Sequence, residues 1–210
     1  QSKTSAEISF DHSLMRCFKK DRPFMMMESA PGLVNWQPYN QVKRPGMHLY
    51  TSLQAVACGS DTVQYFQWRK GRGSFEQYHG AVVDHLGRSD TRVFLEVAAT
   101  GEALERLAPV CGSVIKSEAA LLFDWNSRWA LKDMAGGITG HKGYEETCRE
   151  QYRLFLKNDI PIDIISPKED LSDYKMIVAP MLYVVDEDCG QKLKSYVENG
   201  GCLVATYLTG

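Results

Sequence analysis

Apolar residues run together in short blocks along this chain, and between the blocks other apolar residues recur at helical spacing. Phe24-Met25-Met26-Met27 is four apolar residues in a row, the pattern of a strand buried on both faces. Glu28 ends the run, and Ser29-Ala30-Pro31-Gly32 opens a loop. Upstream, Asp11 to Phe18 reads as a short helix with Leu14, Cys17 and Phe18 on one face, and the ten residues before it are polar and uncapped. Downstream, Pro45 suits the first turn of a helix reaching about Cys58, with Leu49, Leu53, Val56 and Ala57 as its apolar stripe and Gly59 closing it. Thr62 to Trp68 is rich in β formers and ends in the turn Lys70-Gly71-Arg72-Gly73-Ser74. Strand, loop, helix, strand and loop in that order make a βαβ unit with parallel strands. A helix from about Asp90 to Leu107, interrupted at Gly101, follows.

Composition changes at Pro109-Val110-Cys111-Gly112-Ser113, which predicts one domain over residues 1–112 and a second over 113–210. In the second, Ala119 to Phe123 reads as a buried strand, and a loop carrying Trp125, Trp129 and three glycines leads to a helix. That helix spans about Tyr144 to Lys157, with Tyr144, Cys148, Tyr152 and Phe155 at helical spacing. Ile160–Ile165, Met176–Leu182 and Cys202–Tyr207 are further strands. Asp186 caps a helix that Asn199-Gly200-Gly201 stops. Strands and helices in alternation predict a doubly wound α/β domain.

Composition narrows the function classes. Of 210 residues, 44% are apolar and 24% charged, with a formal net charge of −2, so the chain has no excess of cations to hold nucleic-acid phosphates. No apolar run is long enough to span a bilayer, and a membrane partner is not expected. The six cysteines are scattered, with neither metal-ligand spacing nor a disulfide framework, which predicts free thiols in a cytoplasmic protein. Ala135-Gly136-Gly137-Ile138-Thr139-Gly140 lacks both the GxGxxG and the P-loop pattern, so no nucleotide cofactor is expected there. The final strand carries no Cys at its turn, as a nucleophile elbow would require.

The chemistry concentrates at Glu28. A carboxylate is costly to bury unless it is paired or used, and in a parallel barrel the C-terminal strand ends carry the reaction. The bland alternative is a carboxylate capping the turn after the strand. Glu76 and His79 follow the next strand, and Trp36 lies in the intervening loop, so all could face one crevice. An aromatic ring beside carboxylates and an imidazole suits a sugar, whose apolar face stacks while its hydroxyls take charge-assisted hydrogen bonds.

The run Phe24-Met25-Met26-Met27-Glu28-Ser29-Ala30-Pro31-Gly32-Leu33-Val34-Asn35-Trp36 resembles the seventh-strand motif of the glycoside hydrolase family 42 β-galactosidases. Tyr65-Phe66-Gln67-Trp68-Arg69 and Glu76-Gln77-Tyr78-His79-Gly80 are similar to that family's eighth strand and the loop behind it. Phe123-Asp124-Trp125 and Trp129-Ala130 resemble the opening of its second domain. The resemblance implies the last two strands and helices of a (β/α)8 TIM barrel, then a flavodoxin-like (Rossmann-like) domain that forms a homotrimer. Glu28 would be the nucleophile of a retaining β-galactosidase. Trp36 and Phe66 would border the galactose, and Glu76 and His79 would hold its hydroxyls. No cofactor is implied. The family's acid/base follows an Asn on the fourth strand and has no counterpart here, so the chain alone is expected to hydrolyse nothing measurable. The alternative is a non-catalytic oligomerisation or carbohydrate-binding module.

Overall fold

A computed structural model describes residues 3–134 and 143–210, so the glycine-rich stretch weighed as a phosphate loop lies outside the described residues. The chain packs as two units, Asp21–Val114 and Gln1–Lys20 with Ile115–Gly210. The first twenty residues, read from sequence with the first domain, pack in the second unit instead. Helix α1 (Lys3–Cys17) is also longer than the short helix expected, taking in most of the supposed polar lead. Its buried face is Ser5, Ala6, Ser9, Phe10, His12 and Ser13, too polar for hydrophobic periodicity to reveal.

In the Asp21–Val114 unit, β1 (Phe24–Ser29) and β2 (Ser60–Tyr65) are parallel neighbours, joined through α2 (Met47–Ala57) as the βαβ reading predicts. Their register pairs Met26 with Val63 and Ser29 with Tyr65, with an irregularity between the two pairs. Burial differs from expectation: Met25 and Met27 are exposed, since a sheet of two strands leaves part of its surface uncovered. The stripe expected on α2 is also displaced. Its buried residues are His48, Ser52 and Ala55, while Leu49 and Ala57 are exposed. Burial of the two polar ones is compensated by hydrogen bonds, His48 through both ring nitrogens and Ser52 to the Tyr65 hydroxyl at 3.2 Å. Helix α3 (Arg92–Arg106) runs through Gly101 without a break, and the Thr91 hydroxyl caps its start by accepting from the Phe94 amide.

The other unit is built on a parallel sheet in the order β4-β3-β5-β6: Ile162–Ile165, Ala119–Leu122, Met176–Ala179 and Cys202–Ala205. Successive residues of β3 supply opposite faces. Ala119, Leu121 and Phe123 join Phe10 of α1 with Tyr144, Cys148 and Tyr152 of α5 (Tyr144–Lys157) in one core. Ala120 and Leu122 join Leu193 and Tyr196 of α6 (Glu187–Glu198) in the other. Phe10 makes edge-on contacts with Phe123 and Tyr152, at centroid distances of 6.0 and 5.5 Å. At the sheet's end Asp163 accepts from Arg16 at 2.7 Å, Ser117 at 2.8 Å and Tyr174 at 2.9 Å, which satisfies a carboxylate that is largely removed from water. Trp125 and Trp129, read as loop residues, lie on helix α4 (Trp125–Asp133), which Asp124 caps by accepting from the Ser127 amide and hydroxyl. Among the described residues, no helix is long and apolar enough to cross a membrane.

Candidate functional site

Glu28 is the penultimate residue of β1, exposed, and its side chain makes no hydrogen bond or ion pair among the described residues. The chain after it is held residue by residue. The Ser29 carbonyl accepts from the Phe66 amide at 3.2 Å, which fixes the strand's end to the start of the following loop. The Pro31 carbonyl accepts from His48 Nε2 at 2.8 Å. Asn40 acts as a short strand partner for Val34, taking its amide proton at 2.9 Å and donating to its carbonyl at 2.7 Å. Trp36 sits on this pinned loop with 70% of its surface exposed, an open indole face able to take a ligand ring.

The loop after β2 carries the other candidates. Gln67 and Trp68 offer their carbonyls to the amides of Val82 and Val83, at 2.9 and 2.7 Å, which closes residues 69–81 into a braced excursion. Within it Phe75–Tyr78 forms a single 3-10 turn, so Glu76 is exposed while His79, just beyond, is buried at 3%. His79 Nδ1 donates to the Gly80 carbonyl at 2.9 Å, which fixes the orientation of the ring. Phe66 stands edge-on to His79 with centroids 5.0 Å apart.

Two contacts bring these loops together. The Gly80 amide donates to the Leu33 carbonyl at 2.7 Å, and the Asn35 side-chain amide donates to Glu76 Oε1 and the Phe75 carbonyl, each at 3.3 Å. Gly80 and Gly32 are so close that a Cβ on Gly80 would stand 2.8 Å from the Gly32 Cα. The structure thus joins Phe66 to His79 directly, and Trp36 to Glu76 through the neighbouring Asn35. Among the described residues Glu28 makes no side-chain hydrogen bond to any of the four, and it is tied to them through the Ser29–Phe66 backbone bond.

Sequence reasoning missed the residues that hold the rim. Asn35 and Asn40 look like ordinary loop asparagines, and nothing local in the sequence marks their reach to Glu76 and Val34. His48 is the larger omission. It is fully buried, and its Nδ1 lies 2.8 Å from Glu96 Oε2, while Arg92 holds Glu96 Oε1 at 2.8 Å. Desolvation would raise the Glu96 carboxyl, but hydrogen bonds from His48 and Arg92 and their charges outweigh it and hold it below the usual carboxylate range. Lys43 donates to the Ser29 hydroxyl at 3.3 Å, and burial pulls its ammonium pKa down. Among the described residues no cluster of His, Cys, Asp or Glu is placed to hold a metal ion. Chemically, the rim offers an open carboxylate, an imidazole, an anchored second carboxylate and two aromatic faces.

Comparison with known proteins places both halves of the chain. The family-42 glycoside hydrolase model described as beta-galactosidase matches residues 1–107, and the model described as beta-galactosidase trimerisation domain matches residues 117–210. The chain is 50% identical over 205 residues to the β-galactosidase Pbg of Clostridium perfringens, covering 98% of this chain and 30% of that protein. It is 51% identical over 199 residues to BglY of Alicyclobacillus acidocaldarius, covering 95% and 29%. Among solved structures, the cold-adapted β-galactosidase of Rahnella sp. R3 superposes with a TM-score of 0.95 at 48% identity, over 98% of this chain and 30% of that one. The chain therefore spans about three tenths of the length of these relatives.

Proposed function

The chain belongs to the β-galactosidases of glycoside hydrolase family 42, and from that premise we propose that it supplies the nucleophile and part of the galactose-binding rim of a retaining β-galactoside hydrolase. The carrying observation is the stitching of the two loops by Gly80–Leu33 and Asn35–Glu76. It gathers a ring-stacking indole, an imidazole and a carboxylate beside the strand end that bears Glu28.

In this reading the Glu28 carboxylate attacks the anomeric carbon. The C–O bond to the leaving group breaks, and a covalent galactosyl ester forms. Water, deprotonated by a second carboxylate, then displaces Glu28 with net retention. Trp36 covers the apolar face of the sugar, with Phe66 beside it, while Glu76 accepts from its hydroxyls and His79 Nε2 bonds one more. Glu76 is held by Asn35, which suits a binding role, and the family's acid/base, which follows an Asn on the fourth strand, has no counterpart here. The acid must then come from outside these 210 residues.

The first 112 residues read best as the last two strands and helices of a (β/α)8 barrel, with α1 packed on the neighbouring domain. Residues 113–210 read as a flavodoxin-like domain serving a homotrimer in the cytoplasm. The strand order, with β4 and β5 on either side of β3, and the six free cysteines support these assignments. The experiment is to graft the segment onto the remainder of a relative, assay nitrophenyl-β-galactoside, and compare Glu28→Ala. Loss of turnover with an unchanged thermal midpoint is expected, and a variant keeping substantial activity refutes the nucleophile assignment. The isolated chain should be inactive and trimeric by size exclusion with light scattering; turnover or a monomer would count against this reading.

A further inference from the structure

Two side chains outside the sugar rim hold the chain immediately after Glu28. Lys43 holds Ser29 by its hydroxyl, and His48 holds Pro31 by its carbonyl. Neither grip is free to drift. The His48 ring is fully buried, and its other nitrogen points at Glu96. Carbonyl and carboxylate oxygens only accept, so the ring donates from both nitrogens at once and cannot turn without losing both bonds. Glu96 is fixed in turn by Arg92, whose second nitrogen donates to the Lys43 carbonyl at 3.0 Å. The circuit Ser29–Lys43–Arg92–Glu96–His48–Pro31 therefore closes on itself, fastening α2 and α3 to the two positions that bracket Ala30. Among the described residues none of these hydrogen-bonds the indole, the Glu76 carboxylate or the His79 ring.

We propose that His48 and Lys43 are positioning residues that aim Glu28 at the anomeric carbon, a role that rests on reading Glu28 as the nucleophile. A purely structural polar cluster would be expected to anchor one helix to another. This one spends one bond on the side chain of the residue after Glu28 and one on the backbone two residues further on. Among the described residues the Glu28 carboxylate has no hydrogen bond or ion pair of its own, so the hold on the chain beside it bears on where it points.

The test uses the active full-length graft. Glutamine can present its amide nitrogen near the place of His48 Nε2, and asparagine near Nδ1. His48→Gln thus keeps the Pro31 bond and gives up Glu96, while His48→Asn does the reverse. His48→Asn is expected to lower kcat roughly 10- to 100-fold, the range for a reacting group displaced by up to about 1 Å, with KM within about threefold. His48→Gln should retain kcat within about threefold of the parent, because the Pro31 grip persists. Lys43→Met keeps the apolar stem and loses only the Ser29 bond, and should lower kcat about fivefold with KM unchanged. This variant serves if His48→Asn does not fold. Variants that lose thermal stability but keep the parent kcat, or a His48→Gln no better than His48→Asn, would overturn the positioning role alone. An inactive parent, or a Glu28→Ala that still turns over, would remove the nucleophile reading and the positioning role with it.

Discussion

Gly80→Ala isolates the stitch between the two loops. The new methyl would stand 2.8 Å from the Gly32 Cα, 2.8 Å from the Leu33 nitrogen and 2.9 Å from the Gly32 nitrogen. All three are backbone atoms, so no side chain can swing aside. Ordinary contact begins near 3.4 Å, and the loops must part by about 0.6 Å. Overpacking of this kind costs roughly 1–3 kcal/mol, and stretching the Gly80–Leu33 bond adds about 1 kcal/mol. The same displacement separates Trp36 from Glu76 and His79, so about a tenfold loss in kcat/KM is expected alongside the lower Tm. Gly32→Ala is the matched control. Its Cβ meets only the Gly80 Cα, at 3.5 Å, an ordinary contact, and neither glycine has a left-handed φ. Steady-state kinetics on nitrophenyl-galactoside with a thermal melt of each variant reads both effects. If Gly80→Ala matches the parent in Tm and kcat/KM, the loops are not in the contact described and the shared rim fails.

Three further outcomes follow from the same structure. Phe10→Ala removes a fully enclosed ring packed on Phe123 and Tyr152 and under the Arg149 guanidinium, and should cost about 4 kcal/mol in urea unfolding; a cost under about 1 kcal/mol would show that α1 is not part of that core. Glu96 has a depressed pKa in the folded state, so its contribution is fully present above the ordinary value of 4.5 and is lost as pH falls through the lower folded value; in Glu96→Gln the acid destabilisation attributable to this group should vanish, as a pH series of melts would record. Burial pushes the Cys17 thiol up to about 11 and the Cys148 thiol up to about 12, so an alkylating reagent at pH 8 should modify exposed Cys111 and Cys202 and spare both, a result peptide mass mapping reads directly.

The parts of the fold readable from sequence are those with strong local chemistry. The strand ending in Glu28 and the crossover to β2 follow from an apolar run closed by Pro-Gly and a β-rich run closed by glycines. Helices α5 and α6 follow from aromatic periodicity and from the Asp186 cap, whose side chain accepts from the Cys189 amide. What escaped was held by polar contacts at distance. Helix α1 buries three serines, and Ser13 bonds the Tyr152 hydroxyl of α5 at 2.9 Å. Helix α4 exposes both tryptophans and buries only Ser127 and Leu131, which leaves too narrow a stripe for periodicity to detect. The same holds in the candidate site. Glu28, Trp36, Phe66, Glu76 and His79 could be named because each is a chemically conspicuous residue beside a strand end. His48 could not, since a histidine beside Leu49 and Tyr50 on a helix gives no sign that it is the buried residue until Glu96 and Pro31 are seen around it.

The account turns on the identity of one nucleophile, and covalent trapping reads it most directly. A 2-deoxy-2-fluoro-β-galactoside with a dinitrophenyl leaving group needs no protonation to depart, and its fluorine slows release of the sugar ester. Applied to the full-length graft and followed by peptide mass spectrometry, it should place one fluorogalactosyl group on the Glu28 side chain, with none in Glu28→Ala. A label on any other carboxylate of an active enzyme would contradict the account.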